Sequence, residues 1–208
     1  MLQFIVNVTS SFIIGPNDVQ VAFVLFSTRA TVEWGLTRYR NKTSLIQAIL
    51  SMRYLDAKTN LNDALYLTRT EVFAPGRGTR PGACKLTVIL TDGEDNVPVA
   101  GTLFTIQNAT KCKNQGIRLI AVGVTDKIDK QRLLQIVSSP DDIYTVDDFP
   151  DLSSITDQLA SKLYDSSLPT GPQKAAARSS GAERPHPVNI ALLTILSIFY
   201  LLIQSLLH

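Results

Sequence analysis

The chain has 208 residues, of which 45% are hydrophobic and 18% are charged, and its formal net charge at pH 7 is +2. These values suit one globular domain with additional segments, and they leave enough apolar material for a hydrophobic core. Lysine and arginine are scattered, without a basic block or an aromatic-rich platform, so the charge balance is too even to indicate a nucleic-acid-binding protein.

The first half of the chain alternates between strand-like and helix-like patterns. Residues 19–27, VQVAFVLFS, are a nearly continuous apolar run, which predicts a parallel strand buried on both faces. Residues 31–36, TVEWGL, follow after a very short turn and predict an antiparallel edge strand. Apolar residues at helical spacing predict a helix over 43–55, and the motif NLNDALYLTRTEVF predicts a second helix with Asn60 or Asn62 as its N-cap.

The second half continues the alternation after a loop at 74–83 that is dense in glycine and proline. The predicted elements are a strand at 85–91, a helix near 101–114, a strand at 117–124, a helix from Asp129, a short strand at 143–146 and a last helix from Pro150 or Asp151 to about Tyr164. Strands that alternate with helices predict an α/β fold, with a doubly wound, mostly parallel sheet and one antiparallel edge strand.

Ligands of such sheets bind at the carboxyl ends of the parallel strands, where this sequence places Ser27, Asp92 and Asp126. The two histidines, His186 and His208, lie in the C-terminal tail. This position excludes a histidine-dependent nucleophilic site and a histidine–cysteine zinc cluster within the domain. The sequence also lacks the glycine motifs that cradle phosphates.

Oxygen ligands are the chemistry that remains. Asp92 at a strand end and Thr59 in the loop KTNLND supply a carboxylate and a hydroxyl, which suit a hard cation such as Mg²⁺. The alternative is that Asp92 only caps the turn through Gly93. The neighbouring acids are interpreted as solvated loop residues or helix caps: Glu94, Asp95, Asp126 and Asp129.

The C-terminal part of the sequence predicts a linker and an anchor. Residues 166–187 are small, polar and proline-rich, which is typical of a flexible linker, and residues 188–208 are an uncharged apolar run about long enough to cross a bilayer. Together they resemble a glycosylphosphatidylinositol (GPI) attachment signal. The attachment residue would be Ser179, Ser180 or Gly181, with 175–177 as the second choice. The alternative is an ordinary transmembrane tail anchor.

Three sequons, at Asn7, Asn41 and Asn108, indicate an exported glycoprotein. Cys84 and Cys112 form a disulfide if the compartment is oxidising, and otherwise remain as buried thiols. The first residues show neither the basic region nor the cleavage site of a signal peptide. Export features at one end only predict that the N-terminus is incomplete.

Several motifs, in order, resemble a von Willebrand factor type A domain, most of all the copies in collagens, matrilins and related matrix proteins. They are VQVAFVLFS, TVEWGL, KTNLNDAL, KLTVILTDGEDN, GIRLIAVGV and IYTVDDF, and the resemblance covers nearly all of residues 1–165. It implies a doubly wound fold that binds protein ligands through a metal-ion-dependent adhesion site. It also implies that Thr59 and Asp92 are ligands of Mg²⁺, Mn²⁺ or Ca²⁺, with an acidic side chain of the partner completing the coordination.

The chain departs from the family at its beginning. The family's first strand ends in an Asp-x-Ser-x-Ser loop that supplies most of the metal ligands, whereas this chain begins with LQFIVNVTSSFIIGPNDVQ, which resembles the later half of the first helix. We therefore expect the central strand, between 19–27 and 85–91, to be missing. Thr59 and Asp92 alone leave Mg²⁺ mostly hydrated, so we expect cation binding by this chain to be weak or absent.

These features predict a cell-surface adhesion module on the extracellular side of the plasma membrane. It would bind a matrix or cell-surface protein rather than nucleic acid or a small-molecule substrate, and it would attach to the membrane through its tail. The alternatives are a metal-independent matrix-assembly domain and a non-binding, truncated isoform. An Mg²⁺-dependent phosphoryl-transfer enzyme is disfavoured, because the sequence has neither a phosphate-binding loop nor a general base.

Overall fold

The computed structural model describes residues 1–52, 60–91, 99–124, 128–147, 150–167 and 188–194. The α-helices in these ranges are α1 Leu2–Ser10, α2 Lys42–Leu50, α3 Leu61–Leu67, α4 Val99–Asn114, α5 Lys130–Ile136 and α6 Thr156–Ser167. The strands are β1 Val19–Phe26, β2 Ala30–Trp34, β3 Cys84–Thr91, β4 Ile117–Val124, β5 Ile143–Val146 and β6 Val188–Thr194.

The six strands form one sheet in the order β2-β1-β6-β3-β4-β5. Only the β1–β2 pair at one edge is antiparallel, and the other four pairs are parallel. The alternation of strands and helices along the chain explains this arrangement, because a parallel neighbour requires a crossover connection. The predicted doubly wound sheet with one antiparallel edge strand is confirmed.

The centre of the sheet holds a strand that the sequence did not predict. The position between β1 and β3, which we expected to be vacant, holds β6, parallel to both neighbours. Residues 195–208 lie outside the described residues, so the predicted tail over 188–208 stays a prediction, but its first residues, 188–194, are paired in the sheet as β6. The physical reason is that an apolar run satisfies the requirements of a doubly buried strand as well as those of a membrane segment.

Side-chain caps begin three of the described helices, and the sequence predicted the caps of α3 and α5. The side chains of Asn41, Asn60 and Asp129 accept hydrogen bonds from backbone N–H groups in the first turns of α2, α3 and α5. Asn60 is thus the cap of α3 rather than Asn62. Gly116 has φ 72°, a left-handed conformation that glycine adopts easily, and its N–H closes the end of α4 on the carbonyl of Lys113 at 2.9 Å.

Each face of the sheet is covered by its own hydrophobic cluster. Side chains of β1 point alternately to the two faces of the sheet. Val21, Phe23 and Leu25 belong to the cluster under α1, α2 and α6. Ala22, Val24 and Phe26 belong to the cluster under α3 and α4. All eight residues of β1 are consequently buried. This two-sided burial is the reason for the unbroken apolar run in the sequence.

A buried ion pair links β4 to α6. The Asp142 side chain is fully buried and accepts two hydrogen bonds from Arg118, from Nη2 at 2.8 Å and from Nε at 3.0 Å, and Lys162 Nζ lies 3.3 Å from the same carboxylate. Two cations around one carboxylate offset the cost of its burial. In the part of the chain that the structure describes, no helix combines the length and the apolarity needed to span a bilayer.

Candidate functional site

The carboxyl ends of the parallel strands meet at one edge of the sheet. Thr194, the last residue of β6, is aligned with Leu25 of β1 on one side and with Leu90 of β3 on the other. Thr91, which ends β3, is aligned with Gly123 of β4. This edge is where doubly wound sheets bind their ligands.

Asn60 fixes the helix α3 at this same edge. Its side-chain Nδ2 donates to the carbonyl of Thr28, just beyond β1, at 3.2 Å, and its Oδ1 accepts from the N–H of Asp63 at 3.1 Å. Ser27 lies in the turn between β1 and β2, where its N–H donates to the carbonyl of Arg29 at 2.9 Å. One amide side chain therefore joins the start of α3 to the turn between β1 and β2.

The two predicted metal ligands, Thr59 and Asp92, lie outside the described residues, as do Glu94, Asp95 and Asp126. Their immediate neighbours in the chain are described: Asn60 caps α3 at the ligand-binding edge, and Thr91 is buried at the end of β3. Asp129, interpreted as a helix cap, is confirmed in that role because its carboxylate accepts from the N–H of Arg132 at 3.0 Å.

The described residues at this edge include few oxygen donors for a divalent cation. The strand at the family's first position is β6, and the chain contains no Asp or Glu anywhere from 188 to 208. Among the described residues, no group of three or more His, Cys, Asp or Glu side chains is arranged to hold a metal ion. Mg²⁺ and Ca²⁺ bind through carboxylate oxygens, and the described part of this edge does not supply a set of them.

The opposite end of β6 is held by Arg80, a residue that the sequence indicated only as part of a loop. Its guanidinium donates to the carbonyls of Pro16 at 2.7 Å and Val188 at 3.1 Å, to the carbonyl of Asp18, and to Oδ1 of Asn189 at 3.4 Å. Burial lowers the pKa of Arg80, and the charge of Asp18 counteracts that shift. Arg80 thus joins the start of β6 to the segment before β1, and no local pattern signals this contact.

Both cysteines are thiols in the structure, and their pairing in an oxidising compartment stays a prediction. Cys84 begins β3, whereas Cys112 lies in α4 with its Sγ 3.5 Å from the carbonyl of Leu65 in α3. Burial raises the pKa of the Cys112 thiol to about 11, and burial also raises the pKa of Cys84.

We expect iodoacetamide to modify Cys84 much faster than Cys112 in the native chain. Cys112 is fully buried and Cys84 is only partly buried, and at pH 8 a thiol of pKa about 11 is only about a thousandth thiolate. The measurement is the rate of modification of each tryptic peptide by mass spectrometry. In urea the two rates should converge, and equal rates in the native chain would contradict the packing of α4 on α3.

The three sequons differ in their surroundings. Asn7 and Asn41 are exposed, Asn7 accepting from Gln3 at 2.9 Å and Asn41 capping α2. Asn108 is partly buried between α3 and α4, where it accepts from Arg69 at 3.0 Å and donates to Asn62 at 2.8 Å. A glycan on Asn108 would break these contacts, so Asn7 and Asn41 are the better acceptors. Ser179, Ser180 and Gly181 lie outside the described residues.

Comparison with known proteins agrees with this architecture. The family model of the von Willebrand factor type A domain matches residues 1–158. The chain belongs to this family. The matched residues end before β6, so the strand in the centre of this type A domain comes from outside the part that the family model covers.

The relatives of this type A domain include chains of collagen and matrilin. It is 32% identical over 166 residues to the collagen alpha-1(XII) chain of Notophthalmus viridescens, covering 79% of this chain and 17% of that one. It is 28% identical over 163 residues to matrilin-1 of Gallus gallus, covering 77% and 32%. The type A domain therefore spans a third or less of the length of these relatives.

A solved structure with the same fold is proximal thread matrix protein 1 from the mussel byssus, with a TM-score of 0.68 and 28% identity, covering 77% of this chain and 39% of that one. A further structure of that protein, with a TM-score of 0.66 and 27% identity over 77% of this chain and 39% of that one, has zinc in its metal-ion-dependent adhesion motif.

Proposed function

We propose that this type A domain is an extracellular protein-binding module that mediates adhesion to a matrix or cell-surface protein. The observation that carries the proposal is family membership together with relatives that are collagen and matrilin chains. The ligand-binding edge described above, with Asn60 and Thr91 beside the predicted ligands, is the surface on which such a partner would bind. No enzymatic step is proposed.

Two modes of binding are distinguished by the cation. In the first, Thr59 and Asp92 hold Mg²⁺, Mn²⁺ or Ca²⁺ and the ion bridges to an acidic side chain of the partner. In the second, the domain assembles with matrix proteins without a cation. The central strand β6, residues 188–194, carries no Asp or Glu, which favours the second mode for this chain.

Binding of the full chain to decellularised matrix tests the proposal. We expect binding to saturate, and EDTA or Asp92→Ala to reduce it less than twofold, because the cation is held weakly or not at all. Isothermal titration calorimetry with Mn²⁺ measures cation binding by the chain directly, and we expect a dissociation constant of about a millimolar or weaker. Loss of binding in EDTA and on Asp92→Ala would establish the first mode instead, and absence of saturable binding would refute the adhesion function.

Membrane attachment through 188–208 stays a prediction. Its lipid-anchored form, with attachment at Ser179, Ser180 or Gly181, would remove every later residue and so would remove β6 from the sheet. Release of the protein from cells by a phosphatidylinositol-specific phospholipase would support the lipid anchor. Retention in the membrane would favour a transmembrane tail.

A further inference from the structure

The central strand is joined to its domain by an unusual connection. β6 follows α6 only after residues 168–187, a stretch with the composition of a flexible linker, and it pairs with two strands that are distant in the sequence. Its neighbours are mostly apolar, with β1 buried along its whole length and β3 buried from Leu86 to Thr91. Between them they form a groove, here called the β1–β3 groove, that is as wide as one strand.

The backbone accounts for most of the fit between β6 and this groove. Every residue of Val188–Thr194 is aligned with a residue of β1 and with a residue of β3. Such ladders bind any extended chain in the same register, and the side chains that enter pockets supply the selectivity. Val188 and Ile190 enter the cluster under α1 and α6 and are each 3% exposed.

The side chains on the opposite face of β6 are less complementary to the groove, because buried polar atoms there lack hydrogen bonds. Asn189 is fully buried, yet its Nδ2 has no hydrogen-bond partner among the described residues. Gln20, which is aligned with Asn189 on β1, has a buried Oε1 that also lacks a described partner. The same is true of the buried Oγ1 of Thr87 on β3. Three buried polar atoms without hydrogen bonds on the same face of the sheet reduce the affinity of the groove for this strand.

We propose that the β1–β3 groove is a binding site for an extended apolar strand, and that residues 188–194 of a second copy of the chain exchange with the resident strand. The exchange creates no new contact, because the donated strand repeats the pairing seen within one chain, and the linker is long enough to reach a neighbour. The product is a strand-exchanged dimer. This proposal does not depend on the adhesion function.

The full chain with a specific protease site inserted between Gly171 and Pro172 tests the groove. After cleavage, we expect the C-terminal piece to remain bound through native gel filtration and to separate in urea. A biotinylated peptide of residues 186–194, with added lysines for solubility, should then replace it. The matched control is the same peptide with Ile190→Asp, which should bind more than about 100-fold more weakly because its carboxylate would be buried without a partner.

Two outcomes of this experiment would overturn the proposal. One is release of the C-terminal piece as soon as the linker is cleaved, and the other is equal capture of both peptides. The uncleaved chain supplies the second measurement. Two copies with different affinity tags should co-purify in proportion to their concentration, and the peptide of residues 186–194 should separate them while the Ile190→Asp peptide does not. A monomer at every concentration would refute the exchange between copies.

Discussion

Ile190→Asp is expected to unfold most of the chain, or to lower its free energy of unfolding by at least about 4 kcal/mol, out of the roughly 5–15 kcal/mol that stabilise a typical domain. Ile190 is 3% exposed in the middle of the sheet and belongs to the cluster that also contains Val21 and Leu86. A carboxylate there has neither water nor a cation to stabilise it. Urea denaturation followed by circular dichroism measures the loss.

The control for this prediction is Ile13→Asp. Ile13 is 72% exposed, so the same substitution should change the free energy of unfolding by no more than about 0.5 kcal/mol. Ile190→Val, which removes one buried methyl group, should cost about 1 kcal/mol. If Ile190→Asp left the midpoint of unfolding unchanged, residues 188–194 would not be part of the sheet, and their use as an anchor would be the better interpretation.

Asp142→Ala is expected to lower the free energy of unfolding by about 3 kcal/mol. The substitution removes a fully buried carboxylate and leaves Arg118 and Lys162 facing each other without it. This loss of free energy of unfolding is smaller than the largest losses caused by breaking a buried ion pair, because the side chains of Arg118 and Lys162 are 35% and 25% exposed and so remain partly hydrated. The measurement is again the midpoint and slope of the urea transition.

The neighbouring acid provides a matched control for Asp142. Asp141 is exposed, and Asp141→Ala should change the free energy of unfolding by no more than about 0.5 kcal/mol. Asp142→Asn should fall between the two alanine variants, because its amide oxygen still accepts a hydrogen bond from Arg118 while its charge is lost. Equal losses for Asp141→Ala and Asp142→Ala would show that the ion pair contributes nothing specific.

The type of each element could be predicted from the sequence because local patterns decide it. The apolar run of β1 and the short hairpin into β2 lie close to their predicted bounds, and the caps Asn60 and Asp129 are short-range hydrogen bonds within four residues of chain. The parallel order also followed, since alternating strands and helices permit few arrangements.

The candidate site was only partly predictable. The strand ends that meet at the ligand-binding edge follow from the parallel sheet, and the resemblance to the family implied that Thr59 and Asp92 are ligands, which stays a prediction. The contacts of Arg80 with Pro16 and Val188 join segments 64 and 108 residues apart along the chain. No periodicity or local motif encodes such contacts, because they depend on where the loop lies in the folded domain.

The sequence by itself determined that this chain is a type A domain with a doubly wound, mostly parallel sheet. Only the tertiary structure decided what fills the centre of that sheet. The run VNIALLT has the same apolarity whether it becomes a membrane segment or a buried strand, so its composition does not distinguish the two. The β1–β3 groove distinguishes them, because the backbone N–H and C=O groups that β1 and β3 direct into it are paired only when another strand lies there.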